Sequence, residues 1–266
     1  MIVSLLTDYG HEDDFVGVVH GVIAGVAPDA RVIDLTHGIP RHGVRRGALV
    51  LARALPYVPA GVHLAVVDPQ VGTERRAVAL RCADGRLLVG PDNGVLSLAW
   101  QRCGGVLEAV DVSRSPHRLK PVSATFHGRD LFAPVAAQLA AGAELSDAGD
   151  ALDPDELVAL EIPAPHSEDG ALVAHALLVD RFGNVGLDAT HAHLAAPGLR
   201  LGHQVEIETG GERYLATYAF TFADLPAGEI LVYEDAYRTL ALAVNRGDAA
   251  TTMRLSPGAE VRLRAR

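Results

Sequence analysis

Apolar positions in the first half of this chain fall into two alternating kinds of segment. Short apolar runs of three to six residues predict buried strands at residues Ile2 to Leu6, Arg31 to Leu35, His63 to Val67, Ala77 to Cys82, Leu87 to Val89 and Val106 to Val110. Between them, apolar residues at three- and four-residue spacing predict helices over Asp14 to Val26, Val44 to Leu55 and Arg129 to Ala141. In the first of these, Phe15, Val18, Val19, Val22 and Ile23 share one face. Strand and helix in alternation predict a mostly parallel sheet with helices on both faces, an α/β domain.

The pattern changes past Asp147. An acidic, Gly- and Pro-punctuated stretch leads to Pro163-Ala164-Pro165-His166-Ser167-Glu168-Asp169-Gly170, which reads as a linker. Beyond it come strand-like runs at Leu172 to Val179, Gln204 to Glu208, Tyr214 to Ala219, Ile230 to Tyr233, Thr239 to Val244 and Val261 to Leu263, with little helical periodicity. The expectation is a boundary near residue 165: an α/β domain over 1–163, a linker over 164–170 and a smaller β-barrel-like domain over 171–266.

Composition narrows the function. The chain is 49% hydrophobic and 21% charged, with a formal net charge of -10. That acidity argues against nucleic acid, whose non-specific binding depends on clustered Lys and Arg. No apolar run approaches the roughly 20 residues a membrane-spanning helix needs, and the opening Met1 to Thr7 lacks the basic segment of a signal peptide. Cys82 and Cys103 are too few for a disulfide framework, so a cytoplasmic location is expected.

The strongest candidate chemistry follows the third strand. In Val66-Val67-Asp68-Pro69-Gln70-Val71-Gly72-Thr73-Glu74-Arg75-Arg76 a carboxylate leaves the carboxyl end of a strand, where ligands collect in open α/β sheets. Pro69 and Gly72 favour a bend that brings Arg75 back towards Asp68, an arrangement equally suited to a surface salt bridge. Asp8, in Thr7-Asp8-Tyr9-Gly10, also stands at a strand end, placed for a ribose diol or for capping a helix. His127 precedes the helix near Arg129, where the macrodipole favours the neutral ring. Asp180-Arg181-Phe182-Gly183-Asn184 has hairpin-turn composition, with Phe182 able to stack on a base and Asn184 to read its edge. His11, His20, His37 and His42 lie near acids, yet none forms a closed ligand set by spacing, and no metal is expected.

Taken together and in order, Thr7-Asp8-Tyr9-Gly10, Asp34-Leu35-Thr36-His37, Val67-Asp68-Pro69, Val71-Gly72-Thr73 with Arg75-Arg76, Pro91-Asp92-Asn93-Gly94, Phe126-His127-Gly128-Arg129-Asp130, Asp180-Arg181-Phe182-Gly183-Asn184 and Ala243-Val244-Asn245 resemble the S-adenosyl-L-methionine (SAM) hydroxide adenosyltransferase family, related to fluorinating and chlorinating enzymes. The resemblance implies hydrolysis of SAM to adenosine and L-methionine, without a cofactor. It implies a homotrimer with sites between one subunit's first domain and a neighbour's second. Asp68, Arg75 and His127 would be the hydrolytic triad. Asp8 would hold the ribose diol, Phe182 and Asn184 the adenine, Asp180 the methionine ammonium, and the Tyr237 region the methionine end. Backbone around Val244 would hold the adenine edge, and Tyr9 and Phe126 complete the substrate-binding set. Gln70 stands where the family usually has Gly, and Ala236 where relatives commonly carry Ser. Two rival readings are a metal-dependent phosphohydrolase built on Asp8, Asp68, His37 and His127, and a non-catalytic binder of an adenosyl ligand.

Overall fold

The structure is a computed structural model that describes residues 1–194 and 198–266. Two compact units divide it, Met1–Leu160 and Glu161–Arg266.

The described residues of the first unit form strands β1 (Ile2–Thr7), β2 (Arg31–Thr36), β3 (Val62–Val66), β4 (Ala77–Cys82), β5 (Leu87–Pro91), β6 (Val106–Asp111) and β7 (Asp150–Leu152), in spatial order β2-β1-β3-β5-β4-β6-β7. Its helices are α1 (Phe15–Val26), α2 (Val44–Ala54), α3 (Ser97–Arg102) and α4 (Ala133–Ala140). The pairs β1–β2, β1–β3 and β3–β5 are parallel, while β4–β5, β4–β6 and β6–β7 are antiparallel. The sheet is therefore more mixed than the alternation of elements suggests. Only Ala83-Asp84-Gly85-Arg86 joins β4 to β5, and a link that short closes a hairpin, whereas a parallel crossover needs a dozen or more residues.

β3, like β5, is buried at every position. Val62, Leu64 and Val66 join a core with Val19 and Ile23 of α1 and with Val135, Ala136 and Leu139 of α4. Ala65 and Val67 join a second core with Leu51 of α2 and Ala99 of α3. Burial on both faces is why this strand reads as a continuous apolar run. Two glycines let neighbours close on it. A Cβ at Gly90 would lie 2.4 Å from the Ala65 carbonyl oxygen, and one at Gly47 would lie 3.1 Å from Val67. The His63 side chain is accommodated by a 2.8 Å hydrogen bond between Nδ1 and Ser4 Oγ, and burial lowers its pKa to about 4, so it is a neutral core residue at physiological pH.

The second unit contains β8 (His166–Glu168), β9 (Ala171–Val179), β10 (Val185–Thr190), β11 (Gln204–Thr209), β12 (Glu212–Tyr218), β13 (Ile230–Glu234), β14 (Thr239–Val244), the short helix α5 (Ala249–Thr252) and β15 (Glu260–Ala265). Antiparallel pairing of β9 with β10 closes β9 through β15 into a seven-stranded barrel. β8 lies within the stretch read as linker and pairs with β9. Along β10, buried Val185, Leu187 and Ala189 alternate with partly exposed Gly186, Asp188 and Thr190, the two-residue period of a barrel wall. No helix among the described residues is long and apolar enough to cross a membrane.

Candidate active site

Asp68 sits two residues beyond the end of β3, and the loop after it turns back on itself. Val71 N–H bonds the Asp68 carbonyl at 3.3 Å, and Thr73 N–H and Oγ1 both bond the Gln70 carbonyl, at 3.1 and 2.8 Å. Gly72 takes φ +82°, and a Cβ there would lie 2.6 Å from the Ala124 carbonyl oxygen. Both the backbone conformation and the close approach require glycine. Gln70 contributes its backbone to this turn, so the loop closes with a side chain at that position.

The turn delivers Arg75 to Asp68. Arg75 Nε lies 3.0 Å from each carboxylate oxygen, and Nη2 donates to Oδ2 as well. Each side chain is only 5% exposed, which makes this a buried, charge-assisted pair. The guanidinium carbon also stands 5.3 Å from the ring centre of Phe132, a cation–π contact.

From the same Nη2, Arg75 donates to His127 Nδ1 at 2.8 Å. A guanidinium carries donors only, so Nδ1 accepts and the neutral ring holds its proton on Nε2. Burial first and the neighbouring Arg75 charge second push the His127 pKa below its ordinary value, against smaller opposing effects of Asp68 and Asp130. His127 is followed not by a regular helix start but by a π-helical turn, Gly128–Phe132, that runs into α4. Single π turns occur often at functional sites, where they re-aim side chains. Asp130, in that turn, accepts from Ser123 N–H at 2.7 Å and pairs with Arg129, pinning the preceding loop.

Tyr9 closes one side. A Cβ on Gly128 would stand 2.1 Å from the Tyr9 hydroxyl, so the tyrosine sits where only a glycine leaves room. Burial raises the phenol pKa, assisted by Asp8 and Asp68, and the group is un-ionised at neutral pH. Tyr9, Phe15 and Phe126 pack as a tilted and edge-on cluster with centroids 5.0 to 5.8 Å apart. Asp8 Oδ2 accepts the His42 N–H at 3.0 Å.

Two supports had no individual role in the sequence reading. Asn93 Nδ2 donates to the Val67 carbonyl at 2.9 Å, holding the residue just before Asp68, while its Oδ1 accepts from Val95 N–H. Arg76, next to Arg75, is anchored on Asp92 at 2.9 Å and on Glu156. The Pro91-Asp92-Asn93-Gly94 motif marks them in sequence, but only the fold reveals what they hold.

In the second unit, the carboxylate of Asp180 organises the β9–β10 turn: Oδ1 accepts from Phe182 N–H and Asn184 N–H, and Oδ2 from Asn184 Nδ2 at 2.9 Å. A Cβ at Gly183 would lie 2.3 Å from Asp248 Cγ, so the turn packs tightly on the start of α5 and leaves Phe182 70% exposed. Val244 ends β14 and its carbonyl accepts from Gly247 N–H. Tyr237 lies in the β13–β14 turn, its N–H on Asp235 Oδ1 at 2.8 Å.

Metal-type side chains are arranged otherwise than their spacing in sequence suggests. Among the described residues, the one group of three or more His, Cys, Asp or Glu with ligand atoms mutually within 4.8 Å is His20, Asp34 and His37. Asp8, Asp68, His37 and His127 form no such group, which removes the ligand set of the phosphohydrolase reading.

Comparison with known proteins agrees along the whole length. The chain matches the SAM hydroxide adenosyltransferase N-terminal domain over residues 3–149 and the C-terminal domain over residues 174–262. It is 49% identical to the (R)-S-adenosyl-L-methionine hydrolase of Salinispora tropica, covering 99% of this chain and 97% of that one. It is 41% identical to the protein of the same name from Thermus thermophilus, covering 98% of each. Among solved structures, an uncharacterized conserved protein from Thermotoga maritima superposes with a TM-score of 0.92 at 35% identity, covering 99% of this chain and 100% of that one. With its two domains matched in order, the chain belongs to the SAM hydroxide adenosyltransferase family.

Proposed function

We propose that this protein hydrolyses SAM to adenosine and L-methionine, and that Asp68, Arg75 and His127 position and deprotonate the attacking water. The observation that carries the assignment of roles is the chain of contacts from Asp68 through Arg75 to His127 Nδ1. Because Nδ1 is engaged, His127 presents Nε2–H to the water oxygen as a donor, which leaves the opposite lone pair for carbon. Asp68 then accepts the water proton. Arg75 holds both partners in place and offsets the carboxylate charge until that proton arrives.

The sulfonium substrate suits such a site. Methionine leaves as a neutral thioether, so no general acid is required, and water, carbon and sulfur need only be brought into line. Alignment of that kind removes up to roughly 7 to 11 kcal/mol of barrier. Charge is dispersed as hydroxide character meets the sulfonium, and a pocket poor in water favours that cancellation. No cofactor enters this chemistry. Asp68 also disfavours halide as nucleophile, since two like charges a few ångströms apart in a partly buried site repel strongly.

The substrate-binding roles of Asp8, Tyr9, Phe126, Asp180, Phe182, Asn184, Tyr237 and Val244 belong to the same proposal, as does a homotrimer in which a neighbouring copy's second unit completes each site. Phe182, 70% exposed in its own unit, supports that assembly as an aromatic ring available to a neighbour. A reducing cytoplasm accords with Cys82 and Cys103, both unpaired and buried.

The test is a product assay: purified protein with (R)-SAM in high chloride, with and without chelator, analysed by chromatography. Adenosine and methionine in equal amounts in both samples are expected. A 5′-chloro product, loss of turnover with chelator, or binding without turnover would each overturn the reading.

Acid should inactivate the enzyme in a defined direction. Protonation at Nδ1 removes the acceptor for Arg75 and sets two cations side by side. Because the His127 pKa is lowered, kcat/KM is expected to stay level through neutral pH and fall only below the ordinary histidine range near 6.5. A decline that begins above pH 7 would remove His127 from that role.

A further inference from the structure

We propose that His20, Asp34 and His37 form a binding site for a Zn²⁺-class divalent ion that clamps α1 to the end of β2, separate from the hydrolytic residues and independent of the proposed activity.

The three residues come from two elements and converge on one oxygen. Asp34 Oδ1 lies 2.8 Å from His20 Nε2 and 3.1 Å from His37 Nε2. A tetrahedral ion with bonds of about 2.0 to 2.1 Å holds its ligand atoms about 3.3 Å apart. The two histidine-to-Asp34 distances therefore have to open by only a few tenths of an ångström to admit one, and all three ligand atoms already lie within 4.8 Å of one another. Two imidazole nitrogens and one carboxylate oxygen, with the remaining position open to water, suit Zn²⁺, Co²⁺ or Ni²⁺ and not Mg²⁺, which prefers oxygen throughout.

A second observation points to a cation. The His37 side chain is fully buried, yet its Nε2 makes no hydrogen bond, for Asp34 Oδ1 is near but out of line. On the other edge of the ring, Nδ1 stands 2.8 Å from Thr7 Oγ1. The Thr7 hydroxyl can take either role in that bond; in the tautomer that donates Nδ1–H to it, Nε2 turns a lone pair towards a carboxylate oxygen. Two facing lone pairs repel, and an ion between them converts the repulsion into two bonds. The Thr7 contact is the outer hydrogen bond that fixes a metal-bound histidine's tautomer.

The site lies next to the Asp8–Tyr9 segment. Thr7 Oγ1 also accepts the Tyr9 N–H at 3.2 Å, and the His37 carbonyl accepts the Gly10 N–H at 2.9 Å. An ion here ties α1, the end of β2 and the Asp8–Tyr9 segment into one cross-linked corner.

The experiment is calorimetric titration of chelator-treated, dialysed protein with ZnCl₂ and, separately, MgCl₂, together with thermal unfolding in each. Wild type is expected to take up one Zn²⁺ with a rise in unfolding midpoint, and no Mg²⁺. His20→Ala and Asp34→Asn, both at half-exposed positions, should each weaken Zn²⁺ binding by at least about tenfold. Absence of stoichiometric Zn²⁺ uptake by wild type, or uptake unaltered in both variants, would overturn the site. Neither readout involves turnover, so the result stands apart from the hydrolase proposal.

Discussion

Asp68→Ala is expected to lower the rate of adenosine formation by a factor of about 10² or more, the usual consequence of deleting a group that accepts a proton in the rate-determining step. The loss should appear in kcat at saturating SAM, because Asp68 acts on the water and not on the adenosyl or methionine ends. Asp68→Asn sharpens the test. It keeps the shape and a hydrogen-bond acceptor but cannot take the proton, so it should be nearly as slow as alanine. If Asn restored most of the wild-type rate, the carboxylate would be an orienting group alone and the water would lose its proton to bulk solvent.

Arg75→Met is expected to show the largest effect on stability. With both side chains only 5% exposed, removal of the cation leaves a carboxylate in a place where water reaches it poorly. Breaking one side of a buried ion pair costs about 3 to 5 kcal/mol, most of it the penalty of the stranded charge. Urea unfolding monitored by circular dichroism measures it. The double variant Asp68→Asn with Arg75→Met removes the stranded charge and should recover part of the loss. A double variant no more stable than Arg75→Met would mean that the packing of the guanidinium on Phe132, and not the stranded charge, is what the protein loses. Turnover should fall as well, since His127 Nδ1 loses the donor that fixes its tautomer.

Asn93 and Asp92 hold the segments that carry these groups. Asn93 fixes the carbonyl one residue before Asp68, and Asp92 fixes the arginine one residue after Arg75. The two ends of the bend are thus tied to one short segment after β5, which explains how a loop with a glycine at its tip can hold Asp68 and Arg75 together.

Much of this protein is written locally in its sequence. The apolar runs marked β1, β2, β3, β4, β5 and β6 to within a residue or two, and in β1, β3, β4 and β5 burial on both faces makes that apolar signature continuous. The alternating positions of the second half likewise marked a barrel wall. Asp68 at a strand end, the bend at Gly72 and the ordered motifs were legible for the same reason: each depends on a few adjacent residues.

Tertiary structure alone decided the rest. Strand direction past β5 followed from chain closure through a four-residue hairpin, and the short β7 and β8 owe their pairing to neighbours more than to any period of their own. Arg75 meets His127 across 52 positions of sequence, and His20 meets Asp34 across 14. Such meetings are fixed by which faces of α1 and α4 pack on the sheet, a property of the whole core. So is the tautomer of His127. It depends on which side chain the packed fold sets against Nδ1, and no local pattern of residues encodes that.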